Sequence, residues 1–252
     1  MILFSIMIIK KELEMKKLIF TAVMIFLSLS LFAKEQINVY TYHNHAPFII
    51  NEKLGLTHEL IKKLNQNDEF DFKLKVIPRS RLNYILKPWI SKKCETKRCA
   101  NNWIVLWVNH KWGFGKDSLE NFSWTPLLND SNAIISSNTK KFEYTKPEDL
   151  IGKGLAGIAG HKYVGIDDLV KAGKIKRING SNEVDNLKVV LANRVDVTLL
   201  PKSAFDYYQK TNSEFSNLYV SKVPHQSYMR NIMTNRQNKL LVKYLNSLKL
   251  GE

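Results

Sequence analysis

From Ile37 onward the apolar positions of the chain switch between two periods. Ile37, Val39 and Thr41 alternate with polar residues at the period of two that a half-buried strand requires, and 43–47 then reads as a loop. Leu56, Leu60, Ile61 and Leu64 recur at helical spacing and predict a helix over 55–65. Phe72, Leu74 and Val76 return to alternation and stop at Pro78. A second helix is expected over 79–86, with Leu82, Ile85 and Leu86 facing inward. The unbroken apolar run 104–108 reads as a strand covered on both faces. Strand, helix, strand, helix and strand at these lengths describe a parallel α/β unit.

The pattern then restarts. Strands are expected at 132–136, 155–159, 175–178 and 195–199, with 218–220 as the last. Helices are expected at 164–172, 183–192 and 202–209, and a C-terminal one at 236–248 carries Leu240, Leu241, Tyr244, Leu245 and Leu248. Two α/β lobes are the most economical architecture.

The N-terminus changes the picture of location. Met15-Lys16-Lys17 precedes the apolar run 18–32, which ends at Ala33. A basic start, an apolar stretch of about 15 residues and a small exit residue describe a secretory signal peptide. The run is short for a membrane span and contains Thr21, Ser28 and Ser30. Leu31 is a poor exit residue, so cleavage is expected within a few positions of Ala33, and residues 1–14 read as an extension upstream of a complete leader or as the result of a mis-set start codon. Export to the periplasm follows. In that oxidising compartment Cys94 and Cys99 are expected to form a small-loop disulfide.

Composition narrows the partner. With 44% hydrophobic residues, 7 Pro and 11 Gly in 252, the chain is globular, and two cysteines exclude a Cys-rich zinc protein. The net charge of +15 admits a nucleic-acid partner, an anionic surface or simply a basic soluble protein. The lysines are spread over helix faces rather than forming one stripe, and the excess falls mainly on the first lobe, around Lys87, Lys92, Lys93, Lys97 and Arg98. That favours a docking surface or an anionic solute, with no nucleic-acid partner.

Several short motifs follow one another in order. They are the loop Ala46-Pro47-Phe48, the helix start Gly55-Leu56 with Glu59-Leu60, and Pro78-Arg79-Ser80-Arg81-Leu82. Asp149-Leu150 with Gly152-Lys153-Gly154, the strand end Ala159-Gly160 and Asn193-Arg194-Val195-Asp196 complete the set. Together they resemble the type 2 periplasmic solute-binding proteins of family 3, the group that includes polar amino-acid receptors of ABC transporters. The resemblance implies a two-lobed flytrap with two crossover strands, a first lobe of 34–129 plus 226–252 and a second of 130–225. It implies a monomeric, non-enzymatic receptor that hands a small-molecule ligand to an inner-membrane ABC permease or a sensor, with no cofactor.

Two departures bear on the ligand. The amino-acid receptors place a carboxylate-clamping Arg after the third strand, where this chain has 107–115 without Arg. They hold the α-amino group with an acid after the strand that corresponds to 195–199, where this chain continues Leu200-Pro201-Lys202. The fold and the binding role therefore carry over, and the ligand does not.

Ligands of open α/β sheets sit beyond the carboxyl ends of the strands. That places Tyr42, His43 and Asn44 at the first strand end, and Arg79, a bidentate donor for carboxylate or phosphate, at the second. All five tryptophans fall between 89 and 124. Trp107 and Trp112, with Asn109 between them, are the ones placed to stack on a flat or cationic ligand. In the second lobe Gly160, His161 and Lys162 suit an anion at a strand end, Ser181 serves as contact or helix cap, and Tyr228 lies on the return to the first lobe together with Arg230. His43 and His45 lack an evident third metal ligand, so no metal is expected. No nucleophile, metal-protease or phosphate-loop motif is present. The competing class is a periplasmic enzyme on the same scaffold, dehydratase-like, which needs a cleft carboxylic acid with a raised pKa.

Overall fold

The computed structural model describes residues 14–17, 34–91, 93–94 and 99–250, so most of the expected leader and part of the basic Cys loop lie outside the described residues. No described helix is long and apolar enough to cross a membrane.

Nine strands form one sheet in the order β2-β1-β3-β9-β4-β7-β5-β6, with β8 paired on β4. In the first half, β1 (Glu35–Thr41) runs parallel to both β2 (Phe70–Val76) and β3 (Trp103–Val108). Helices α1 (Leu56–Leu64) and α2 (Arg79–Ile90) make the crossovers. Every residue of β3 is buried, the burial that its continuous apolar run required. Helix α2 extends past the expected end at 86 and carries Pro88 in its last turn.

In the second half, β5 (Gly154–Ile158) lies parallel between β6 (Lys176–Gly180) and β7 (Val197–Pro201). Helices α4 (Ile166–Lys171), α5 (Glu183–Leu191) and α6 (Lys202–Thr211) cover it, after a short helix α3 (Ser118–Asn121) in the first half. The C-terminal helix α7 (Lys239–Ser247) returns to the first half, where Leu241 and Leu245 join the core around Ile37, Val39 and Leu64.

The halves are joined by two long antiparallel strands, β4 (Phe122–Ser137) and β9 (Gln226–Asn235), paired from Phe122 opposite Asn235 to Asn132 opposite Gln226. Both correct the sequence reading. β4 begins ten residues before the expected 132, and β9 follows the strand expected to be last, β8 (Leu218–Val220). The reason is visible in their side chains. Asp130, Arg230, Asn231, Thr234 and Asn235 are buried polar residues, so the burial is real but the apolar alternation is broken. Pro126 sits at a register shift of β4, where a residue without an N–H is tolerated.

Candidate functional site

The carboxyl ends of the parallel strands face one another across β4 and β9, and the floor between them is a buried ion pair. Arg230 and Asp130 lie on neighbouring crossover strands, each side chain 1% exposed, with Nε donating to Oδ2 at 2.7 Å. Arg230 also donates from Nη1 to the Trp107 carbonyl at 3.1 Å and from Nη2 to the Tyr228 hydroxyl at 3.3 Å. Its guanidinium packs on the rings of Phe48 (4.6 Å), Tyr228 (5.2 Å) and Trp112 (5.4 Å). Asp130 accepts three further bonds, from Ser203 Oγ at 2.7 Å, Ser203 N at 3.1 Å and Ser131 N at 2.8 Å. Ser203 lies in the first turn of α6 in the second half and Trp107 near the end of β3 in the first, so one polar chain spans both halves through the hinge. A buried pair of this kind resists desolvation only because its remaining polar positions are satisfied.

Trp107 carries a backbone φ of 65°, rare for a bulky residue, at a register shift between β3 and β9. Its indole N–H donates to Thr57 Oγ1 at 2.9 Å and its ring meets Phe48 at 5.0 Å. It is 5% exposed, a core residue that presents its carbonyl to Arg230.

Arg79 also has its nitrogens engaged. Nε donates to Asn83 Oδ1 at 2.8 Å, Nη1 to the Tyr42 hydroxyl at 2.9 Å and Nη2 to the Trp112 carbonyl at 2.5 Å. The guanidinium is sandwiched between the Phe114 and Tyr42 rings, at 4.3 and 4.9 Å. Burial pushes the Tyr42 phenol up, against the opposing effect of the Arg79 charge. Arg79 thus anchors the 110–115 loop and Tyr42.

His43 is buried among Tyr42 (4.2 Å between centroids), Phe48 (5.6 Å), His45 (5.8 Å) and Trp112 (6.1 Å). Its Nε2 has no hydrogen-bond partner in the protein. Burial holds the ring pKa well below the usual 6.5, and the charges of Arg230, His45, Arg79 and His161 lower it further, so the imidazole is neutral near pH 7. Nδ1 of His45 lies 2.9 Å from the Ala46 carbonyl. His161, from the other half, has a lowered pKa through burial, with Glu183 opposing and His45 and Arg177 adding to the effect.

The second-half wall is held by Arg177 of β6. It donates to Asp167 Oδ1 (2.9 Å), to the carbonyls of Ile158 (2.9 Å) and His161 (3.0 Å), and to Asn179, while packing on Tyr163. A Cβ on Gly157 would come within 2.6 Å of Arg177 Nε, which is why this strand position has no side chain.

Of the expected contacts, Tyr42, His43, Trp112 and Tyr228 are brought together around Arg230. Gly160, His161 and Lys162 form an exposed turn on the facing wall, and Asn44 is exposed on the first. Asn109 braces its loop by donating from Nδ2 to the Met229 carbonyl at 2.8 Å. Ser181 donates to Asp185, beside Asn182, which caps α5 by accepting from Asp185 N. Asp130, Ser203 and Arg177 were not singled out by sequence, and Phe48 was named only within a loop motif and not as a site residue. A lone acid in the apolar context Leu127-Leu128-Asn129-Asp130 was the available signal for the first of them.

Cys94 and Cys99 form the expected disulfide. Among the described residues no group of three or more His, Cys, Asp or Glu side chains is arranged to hold a metal. A surface depression of about 590 Å³, lined by Ile90, His110, Lys111 and Lys116 among others, does not share the hinge residues.

No protein-family profile and no curated protein matches the chain. Solved structures do. The P235GK mutant of ArgBP from T. maritima is 17% identical with a TM-score of 0.57, over 84% of this chain and 87% of its own. The GluR0 ligand-binding core in complex with L-glutamate is 13% identical with a TM-score of 0.59, over 86% and 91%. The substrate-binding protein of an amino acid ABC transporter is 14% identical with a TM-score of 0.55, over 85% and 91%. With parallel strands in each half, two crossover strands and strand ends meeting over a hinge, the chain has the two-lobed fold of type 2 solute-binding proteins.

Proposed function

We propose that the protein is an exported receptor that captures a small polar or anionic solute by closing its lobes, 34–129 plus 226–252 on one side and 130–225 on the other. It would deliver the solute, as a monomer, to an ABC-type permease or a membrane sensor. The observation that carries this reading is the hinge floor. Two arginines and a neutral imidazole lie among aromatic rings where the strand ends of both lobes meet, and His43 Nε2 is left unpaired. Binding to a closed form would stabilise the fold by mass action. The structural neighbours named above are binding proteins, which agrees with this role.

An enzyme of the dehydratase type would need a cleft carboxyl free to carry a proton. The acid on the hinge floor, Asp130, is committed to Arg230, Ser203 and Ser131. The test is a thermal-shift screen of the purified protein against amino acids, carboxylates, amines and small sugars, followed by scattering with the best solute. A rise in Tm with a smaller radius of gyration supports the receptor. A new chemical species after incubation supports the enzyme, and no response to any solute defeats both.

A further inference from the structure

Resting on the receptor reading, we propose that the solute is an anion built on a flat ring and lacking an α-ammonium group, an aromatic or heteroaromatic carboxylate. It would lie against Trp112 and Tyr228, with its carboxylate toward the imidazoles of His43 and His161.

The charge of the hinge region selects the sign. Arg79 and Arg230 lie within reach of His43, and the acid on the floor is already shared among Arg230, Ser203 and Ser131. A cationic solute over the hinge floor would enter an excess of positive charge whose one acid, Asp130, is already taken up, whereas an anion is attracted. The manner of holding follows from what the arginines already do. Arg230 is 1% exposed and sealed under three rings. The two terminal nitrogens of Arg79 diverge onto Tyr42 and Trp112. Neither presents the open fork that clamps a carboxylate bidentately. The imidazole of His43, beside these arginines, is still owed a partner, because it is nine-tenths buried and its Nε2 bonds to nothing in the protein.

The rings select the shape. Trp112 meets Tyr228 edge-on at 4.9 Å and His43 at 6.1 Å, and Trp112 and Tyr228 are only half-buried. Their remaining exposed area suits a planar group, which gains offset or edge contacts that an aliphatic chain does not. An acid that an α-ammonium group could use is Glu183 of the second lobe, whose charge acts on His161.

The test is calorimetric titration of the purified protein with benzoate and nicotinate, their neutral amides, acetate, and L-arginine, L-glutamate and L-glutamine. The proposal expects at least one of the two ring acids to bind at least tenfold more tightly than its amide or acetate. His43→Gln and Trp112→Ala should each weaken that binding about tenfold, while Trp112→Phe, which keeps a ring, should lose little. Circular dichroism and Tm of each variant separate lost binding from lost folding. If the free amino acids bind more tightly than both ring acids, and Glu183→Gln abolishes that binding, the ligand class is overturned while the receptor reading stands. If amides bind as well as acids, the anion requirement is wrong. If no solute in this set or in the wider screen binds, both readings fall together.

Discussion

Asp130 illustrates how much one residue can carry when every bond it makes is buried. Its four donors come from a neighbouring strand, the backbone N–H of Ser131 next to it and the first turn of α6. Asp130→Ala leaves the Arg230 charge uncompensated in a site 1% exposed, and the expected loss is about 3–5 kcal/mol in urea unfolding. Adding Arg230→Met should recover a large part of it. A loss below about 1 kcal/mol for the single variant would mean that the pair is not holding the hinge. His43 acts through the opposite property, a charge it does not take. Its folded pKa is held well below the unfolded value near 6.5, and His161 and His225 are lowered as well, mainly by burial. Below about pH 6.5 the unfolded chain therefore binds more protons than the folded one, so stability is full above that pH and falls as pH drops toward the folded pKa values. Tm measured from pH 7.5 to 5 should decline, and His43→Gln should flatten the slope. An unchanged slope would place the titration elsewhere.

At the scale of elements, the crossover strands separate what pattern reading can see from what it cannot. Strands β1 and β3 and helix α1 were legible because their apolar residues alternate, run together or recur at 3.6. β9, with the sequence QSYMRNIMTN, was not, although six of its ten residues are buried. Three of its buried polar side chains find partners on β3 and β4, Arg230 with Asp130, Asn231 Nδ2 with the Val108 carbonyl (3.2 Å) and Thr234 Oγ1 with the Trp103 carbonyl (2.6 Å). Burial through hydrogen bonding leaves no hydrophobic period to detect. The same logic gives two tests. Thr57 is fully buried and accepts from the Trp107 indole, so Thr57→Val strands that N–H and should cost about 1–3 kcal/mol. Gly157→Ala drives a methyl into Arg177 and loosens the Ile158 and His161 carbonyls, with an expected cost of about 1–3 kcal/mol. Chemical denaturation of each variant decides, and a neutral result for Gly157→Ala would show that Arg177 can move without consequence.

For the whole molecule, the charge of +15 that admitted several partner classes now has a local counterpart at the hinge, where two arginines exceed one acid. A positive field there predicts that association with an anionic solute slows as salt rises, while a neutral solute shows little dependence. Stopped-flow binding at 20 and 500 mM salt checks it, and a salt-independent rate for an anion would remove the steering role. The sequence alone determined the two α/β units, the candidate disulfide and the strand ends at which a site belongs. These follow from periodicity and chain order, which are local properties. The resemblance implied two crossover strands, but the tertiary structure alone decided where in the chain they run and which polar residues meet over them. It engaged Arg79, which looked available, and it placed Arg230, Asp130 and Ser203 in one buried network. Those outcomes depend on partners 37 to 100 residues apart, and no local pattern records which buried polar group will find another.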